Sequence, residues 1–189
     1  TLLVCLTGGF ITIMTTDCIE GMLSQLFYMV IIASLLLSFK WSQIEQVLGG
    51  RDAGKSVLNP FDAARVPDFN LWYVLMSVFV WIYGTMAWQN SSGYNSAALN
   101  AHESRMGVVL GRWRDIGRVV TITLLAICAA TFLGHADFAA AAAPAKDAIA
   151  GIIDPQVRQQ MSVPVALAHL LPVGIKGILC AILLMGIFG

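Results

Sequence analysis

Along this chain, apolar runs without charge alternate with short polar stretches. Gly21 to Phe39 and Phe69 to Trp88 each continue for about twenty residues without a charged side chain. A hydrocarbon core about 30 Å thick needs roughly twenty apolar residues at 1.5 Å each. The pattern predicts an all-helical membrane protein with about four membrane segments. They lie near 21–39, 69–88, 116–133 and 172–189. Residues 1–14 form a shorter apolar run interrupted by Gly8-Gly9 and are expected to be the end of a preceding helix. The chain is taken as a single transmembrane unit over 1–189.

Local signals refine the boundaries. Thr15-Thr16-Asp17, with Glu20 three residues after the Asp, has capping-box spacing and predicts an N-terminus just before the first span. Within that span Ser24 and Gln25 should face protein rather than lipid. Residues 40–68 form a mixed-charge loop. Trp72-Tyr73 and Trp88 suit interfacial aromatic belts, and Gly84 marks either a bend or a close helix contact. The polar run from Gln89 to Gly107 is expected at a membrane face, followed by a basic collar, Gly111-Arg-Trp-Arg-Asp-Ile-Gly-Arg118, from which Arg118 snorkels. In the 134–160 connector, Asp154 before Pro155 reads as an N-cap. Val163 to Leu170 reads as a short interfacial helix. Pro172 should open the last span, with Lys176 one turn in and snorkelling outward.

Composition narrows the function classes. Hydrophobic residues make up 58% and charged residues 12%, with a mean hydropathy of +0.76. That is roughly half the charge of an ordinary soluble domain. Formal net charge is zero, which gives no electrostatic case for nucleic acid. The chain does not start with Met, and Gly189 lies inside an apolar run, so it is expected to be an internal piece of a longer membrane protein. Cys5, Cys18, Cys128 and Cys180 lack Cys-x-x-Cys spacing and read as small apolar residues. Gly49 to Ser56 fits a phosphate-loop template, but it follows an apolar helix rather than a strand, so it reads as a solvated loop.

Candidate chemistry is sparse. Asp17 and Glu20 are acidic residues at the mouth of an apolar run, where a carboxylate either stabilises the positive helix end or attracts a cation. Trp81, Tyr83, Gly84, Trp88 and Gln89 combine aromatic faces with hydrogen-bonding groups and are candidates for holding a small organic solute, the alternative being packing between helices. His102, His135 and His169 do not cluster in sequence. No nucleophile triad or paired metal ligands appear, so no enzyme is expected. Arg105, Arg112, Arg114 and Arg118 contact lipid headgroups or hold topology.

Several motifs, in order, resemble the sodium:solute symporter family. A membrane helix ends in Gln89, and Ala97-Ala98, Glu103 and Gly107 follow in the family's register, although Gly93-Tyr94 stands where the family has Gln-Arg. Gly8-Gly9…Thr16-Asp17 lies upstream and Leu171-Pro172-x-Gly174-x-x-Gly177 downstream. The resemblance implies a LeuT-type fold of two inverted five-helix repeats, of which this piece holds the last helix of the first and three of the second. It also implies alternating-access symport of a small organic solute coupled to a cation, Na+, in a multi-pass plasma (inner) membrane protein. Asp17 and Glu20 would lie on the cytoplasmic ion pathway, and no further cofactor is implied. The family's second sodium site falls in register on Gly186 and Gly189. Gly186 keeps a carbonyl for the ion, whereas Gly189 lacks the family's hydroxyl. Four basic residues lie in each of 40–68 and 89–118, so charge does not orient the chain. The resemblance puts Asp17 and 89–118 inside. A non-transporting membrane sensor of the same fold and an integral-membrane enzyme are the alternatives.

Overall fold

A computed structural model describes residues 2–51, 54, 56, 71–87, 93 and 96–188. Among them the chain is helical and contains no strand. In order come α1 (Leu2–Ser38), α2 (Trp41–Gly49), α3 (Leu71–Ala87) and α4 (Ala101–Gly134). A 3-10 turn (Ala136–Phe138) then leads into α5 (Ala139–Ala150), α6 (Pro155–Leu170) and α7 (Val173–Phe188). Two helical stretches are long and apolar enough to cross a membrane, Ile11–Ser38 within α1 and Ala101–Gly134. Trp72–Gly84 and Val173–Gly186 are apolar but shorter.

The chain divides into two compact units, Thr1–Ile44 with Arg112–Gly189, and Glu45–Gly111. In the first, α1 packs along α7, and α5 packs against α6 as a hairpin. The hairpin closes on small side chains, with Ala142, Ala145 and Ala166 fully buried. Its turn is held twice. Asp154 Oδ1 accepts from the Gln156 and Val157 N–H groups at 2.8 and 3.3 Å, the N-cap that the Asp-Pro pair indicates. Arg158 donates through Nε and Nη2 to the Ile152 carbonyl at 2.9 and 2.6 Å.

Several local expectations are corrected. The helix does not start at Thr15–Asp17. It breaks at Gly9 (φ 65, ψ −165) and resumes at once, because only glycine reaches that conformation without severe strain. Thr12, Thr15 and Thr16 are inside the helix, and their hydroxyls donate back to the carbonyls of Gly8, Ile11 and Thr12. Side chains bonded in this way do not cap. The polar run also proves partly helical, since α4 already starts at Ala101. There Asn100 Oδ1 accepts from the Glu103 N–H at 3.0 Å, and Glu103 Oε2 accepts from the Leu99 N–H at 3.3 Å. Asn100 is thus the N-cap, and Glu103 reaches one residue further back than a capping box would.

Arg118 forms an ion pair with Asp115 at 3.0 Å. Lys176 turns inward, its Nζ donating to the Ala168 carbonyl at 3.0 Å and so closing the end of α6. Pro172 lies just before α7 and accepts from the Lys176 N–H at 3.0 Å. The phosphate-loop stretch follows helix α2, and most of it lies outside the described residues.

In the second unit, α3 is helical through Gly84. A Cβ built on Gly84 would meet nothing within 4 Å among the described residues. Every position from Trp72 to Tyr83 is exposed.

Candidate functional site

α1 is apolar almost throughout, so its faces cannot be told apart by hydropathy alone. Burial separates them. Asp17, Glu20, Gly21, Ser24, Gln25 and Tyr28 are half-buried, and the same face continues into Ile31, Leu35 and Phe39, which are buried. These positions recur at three- and four-residue spacing, one stripe of a helix. Met22, Leu26, Met29 and Leu37 lie on the other faces, exposed by 68, 59, 67 and 89%. The half-buried polar residues therefore share a stripe with buried apolar ones, while large apolar side chains such as Met22 and Leu37 lie exposed on the other faces.

Part of this stripe meets α4 around a pair of glycines. A Cβ on Gly21 would lie 2.6 Å from Arg114 Nη1, so the arginine folds directly across that glycine. One turn on, Gln25 Nε2 donates to the Arg114 carbonyl at 3.0 Å. A Cβ on Gly117 would lie 2.7 Å from Gln25 Oε1 and 3.7 Å from Tyr28 Cδ2. At the far end, Phe39 and Phe132 both pack on Phe138, with ring centroids 5.1 and 6.0 Å away. The two helices therefore run parallel from Gly21 and Arg114 to Phe39 and Phe132, a distance of about 27 Å at 1.5 Å per residue.

The buried side of α4 carries Thr121, Leu125, Cys128, Ala129, Thr131 and Phe132. Its two threonine hydroxyls are satisfied within the helix, Thr121 on the Gly117 carbonyl and Thr131 on the Ile127 carbonyl. Buried polar groups need such partners where water is absent.

The Phe39 end is further tied by a polar corner. Gln43 Oε1 accepts from the Lys40 N–H at 3.0 Å, and Gln43 Nε2 donates to Asp137 Oδ2 at 2.8 Å. His135 Nδ1 accepts from the Asp137 N–H at 3.1 Å, and the ring meets Phe138 edge-on. This arrangement joins the end of α1 to the end of α4.

The residues singled out by sequence fall in separate places. Asp17 and Glu20 lie on the half-buried stripe of α1, next to Gly21 and the Arg114 side chain that covers it. Trp81, Tyr83 and Gly84 are on α3 in the second unit. Trp81 and Tyr83 are two residues apart, about 200° around a helix, so one face cannot present both. Tyr83 instead stacks on Phe79, with centroids 6.5 Å apart. Gly186 is exposed near the end of α7, and a Cβ there would meet nothing within 4 Å. Trp88, Gln89 and Gly189 lie outside the described residues. No three His, Cys, Asp or Glu side chains converge among the described residues.

The Gln25–Arg114 contact and the two glycine notches were not singled out by sequence as a site. Their only sequence signal is a glutamine in an apolar run four residues after a glycine, which indicates an inward face without naming a partner.

No family model, no curated protein and no solved structure matches this chain.

Proposed function

We propose that this chain is part of an ion-coupled secondary transporter that moves a small organic solute across a membrane by alternating access, with sodium as the coupling ion. The observation that carries the reading is the apolar exposure of α1 beside its polar contact with α4. Met22, Leu26, Met29 and Leu37 lie outward, while Gln25 reaches the Arg114 carbonyl and Arg114 covers Gly21, on the half-buried face that also carries Asp17 and Glu20. The reading takes Ile11–Ser38 and Ala101–Gly134, each long and apolar enough to cross, as two of its membrane spans.

A second support is the break at Gly9. Backbone freed from a helix inside an apolar region is tolerated where it is buried in protein or lines a hydrated cavity, and discontinuous helices are where secondary transporters bind substrate and ion. In this reading Asp17 and Glu20 line the cytoplasmic ion pathway, and Gly186 offers a carbonyl to the ion. The aromatic residues of α3, with Trp88 and Gln89, supply solute contacts together with the rest of the transporter. The order of motifs resembling the sodium:solute symporters, with its LeuT-type repeat, favours this reading over a sensor or an enzyme.

The test is thermal unfolding of the purified protein in sodium against choline at matched ionic strength. A ligand that binds the folded state raises its stability by mass action. The reading expects a sodium-specific rise in Tm that is lost in Asp17→Asn. An equal Tm in both salts would overturn sodium coupling.

A further inference from the structure

Charge is absent from matching intervals of α1 and α4. On α1, Asp17 and Glu20 are followed by no Asp, Glu, Lys or Arg until Lys40. On α4 the basic collar ends at Arg118, and none follows until Asp137. The two intervals lie at the same level, because Arg114 crosses Gly21 at one end and Phe39 and Phe132 share Phe138 at the other. From Gly21 to Phe39 the rise is about 27 Å at 1.5 Å per residue, close to the thickness of a hydrocarbon core. Within it, every exposed position over 22–37 of α1 is apolar. Over 119–132 of α4, Thr123 is the one exposed polar residue.

Both edges of this apolar surface carry an exposed tryptophan beside a cation. At the Gly21 edge Trp113 is 71% exposed and lies between Arg112 and Arg114, both exposed. At the Phe39 edge Trp41 is 71% exposed and follows Lys40, also exposed. Trp113 and Phe132 are about 29 Å apart along α4 at 1.5 Å per residue. Arg118 is one turn further in than Arg114, but its guanidinium turns back to Asp115 at 3.0 Å. A long cation that keeps its head out of hydrocarbon behaves in this way.

Indole rings are amphipathic and favour the headgroup level, and guanidinium and ammonium groups are attracted to lipid phosphates. A protein partner would give no reason for a tryptophan–cation pair to recur at this one spacing. A bilayer does.

We propose that Trp113 in its arginine collar and Trp41 with Lys40 lie in the two headgroup layers of a bilayer, whose hydrocarbon core covers 21–38 of α1 and 119–132 of α4. Asp17 and Glu20 then stand in the headgroup layer on the Trp113 side, within reach of water. The inference rests on the reading of α1 and α4 as membrane spans and is independent of the coupling ion.

The experiment uses the full chain in phosphatidylcholine vesicles whose acyl chains carry bromine, a quencher of nearby indoles, either near the headgroup or near the bilayer centre. Variants keep only Trp41 or only Trp113 of the five tryptophans, the others being changed to Phe. A third variant has Met29→Trp as its one tryptophan, at a position 67% exposed and midway between the edges. Trp41 and Trp113 are expected to be quenched severalfold more by the shallow bromine than by the deep one, and Met29→Trp in the opposite order.

For either native tryptophan, equal quenching, stronger quenching by the deep bromine, or none at all would overturn the proposal. The membrane spans would stand if Met29→Trp is still quenched best by the deep bromine, and would fall with the proposal if neither lipid quenches it. Should the single-tryptophan variants fail to fold, Trp41→Phe and Trp113→Phe are made one at a time in the native chain. Each should lower quenching by the shallow bromine and leave quenching by the deep one unchanged. Shallow quenching that is unchanged in both would overturn the proposal.

Discussion

The Gln25 side-chain amide donates to the backbone carbonyl of Arg114 at 3.0 Å, across a sequence separation of 89 residues. That bond sets the register of two parallel helices and puts Arg114 across Gly21. Interhelical hydrogen bonds of this kind contribute about 0.6–2 kcal/mol in membrane proteins. Gln25→Leu is therefore expected to destabilise the folded state by about 1 kcal/mol, read as a fall in the Tm of the purified protein. Gly21→Leu should lower it further, because its side chain would displace the Arg114 guanidinium rather than merely lose a bond.

The start of α4 depends on Asn100 and Glu103. Loss of a capping side chain costs about 1 kcal/mol, so Asn100→Ala should fray the first turn. Hydrogen exchange should become faster at the amides of residues 101–104 and remain unchanged in the second half of the helix. Asp17→Ala, although its sequence spacing to Glu20 is identical, should leave the amide protection of α1 in place, because Asp17 lies well inside a helix that is already formed before it.

The aromatic cluster joins the residue that follows α1 to the last turn of α4. Phe132 is 3% exposed and shares Phe138 with Phe39. Truncating a buried phenylalanine costs about 3–5 kcal/mol, so Phe132→Ala should be far more damaging than Gln25→Leu. Denaturant unfolding of the two variants side by side would rank them, and equal losses would contradict that order.

The uncovered helix α3 gives a test of the membrane itself. A lysine at the centre of a spanning helix raises the free energy of insertion by about 2.5–3.5 kcal/mol. Val78→Lys, near the middle of α3 and already 51% exposed, should sharply reduce membrane integration in a glycosylation-mapping assay. On a helix facing water the same change would have no effect on insertion.

Two identical spacings end differently in the structure. Asp17-x-x-Glu20 reads as a capping box and is not one, whereas Asn100, which the sequence does not single out, caps the helix that carries Glu103. The first lies in a helix that resumes directly after Gly9, so its N–H groups are already bonded within the helix. Asp154 before Pro155 was legible because proline cannot continue a helix from its N-terminal side and therefore marks the start. Lys176 illustrates the opposite case. An amine one turn into an apolar helix can reach solvent or a neighbouring helix end, and the nearness of Ala168 decided between them.

The sequence alone determined that the chain is helical and apolar enough for a membrane, because hydrophobicity and run length are additive properties of consecutive residues. It also marked Gln25 as inward-facing and Gly9 as a place where the helix can break. Only the tertiary structure decided which helix receives Gln25 and that α1 and α4 run parallel. In helices apolar on every face, periodicity gives almost no information about partners. The choice falls to where a glycine notch on one helix meets a long side chain on another, and that match exists only once the helices are side by side.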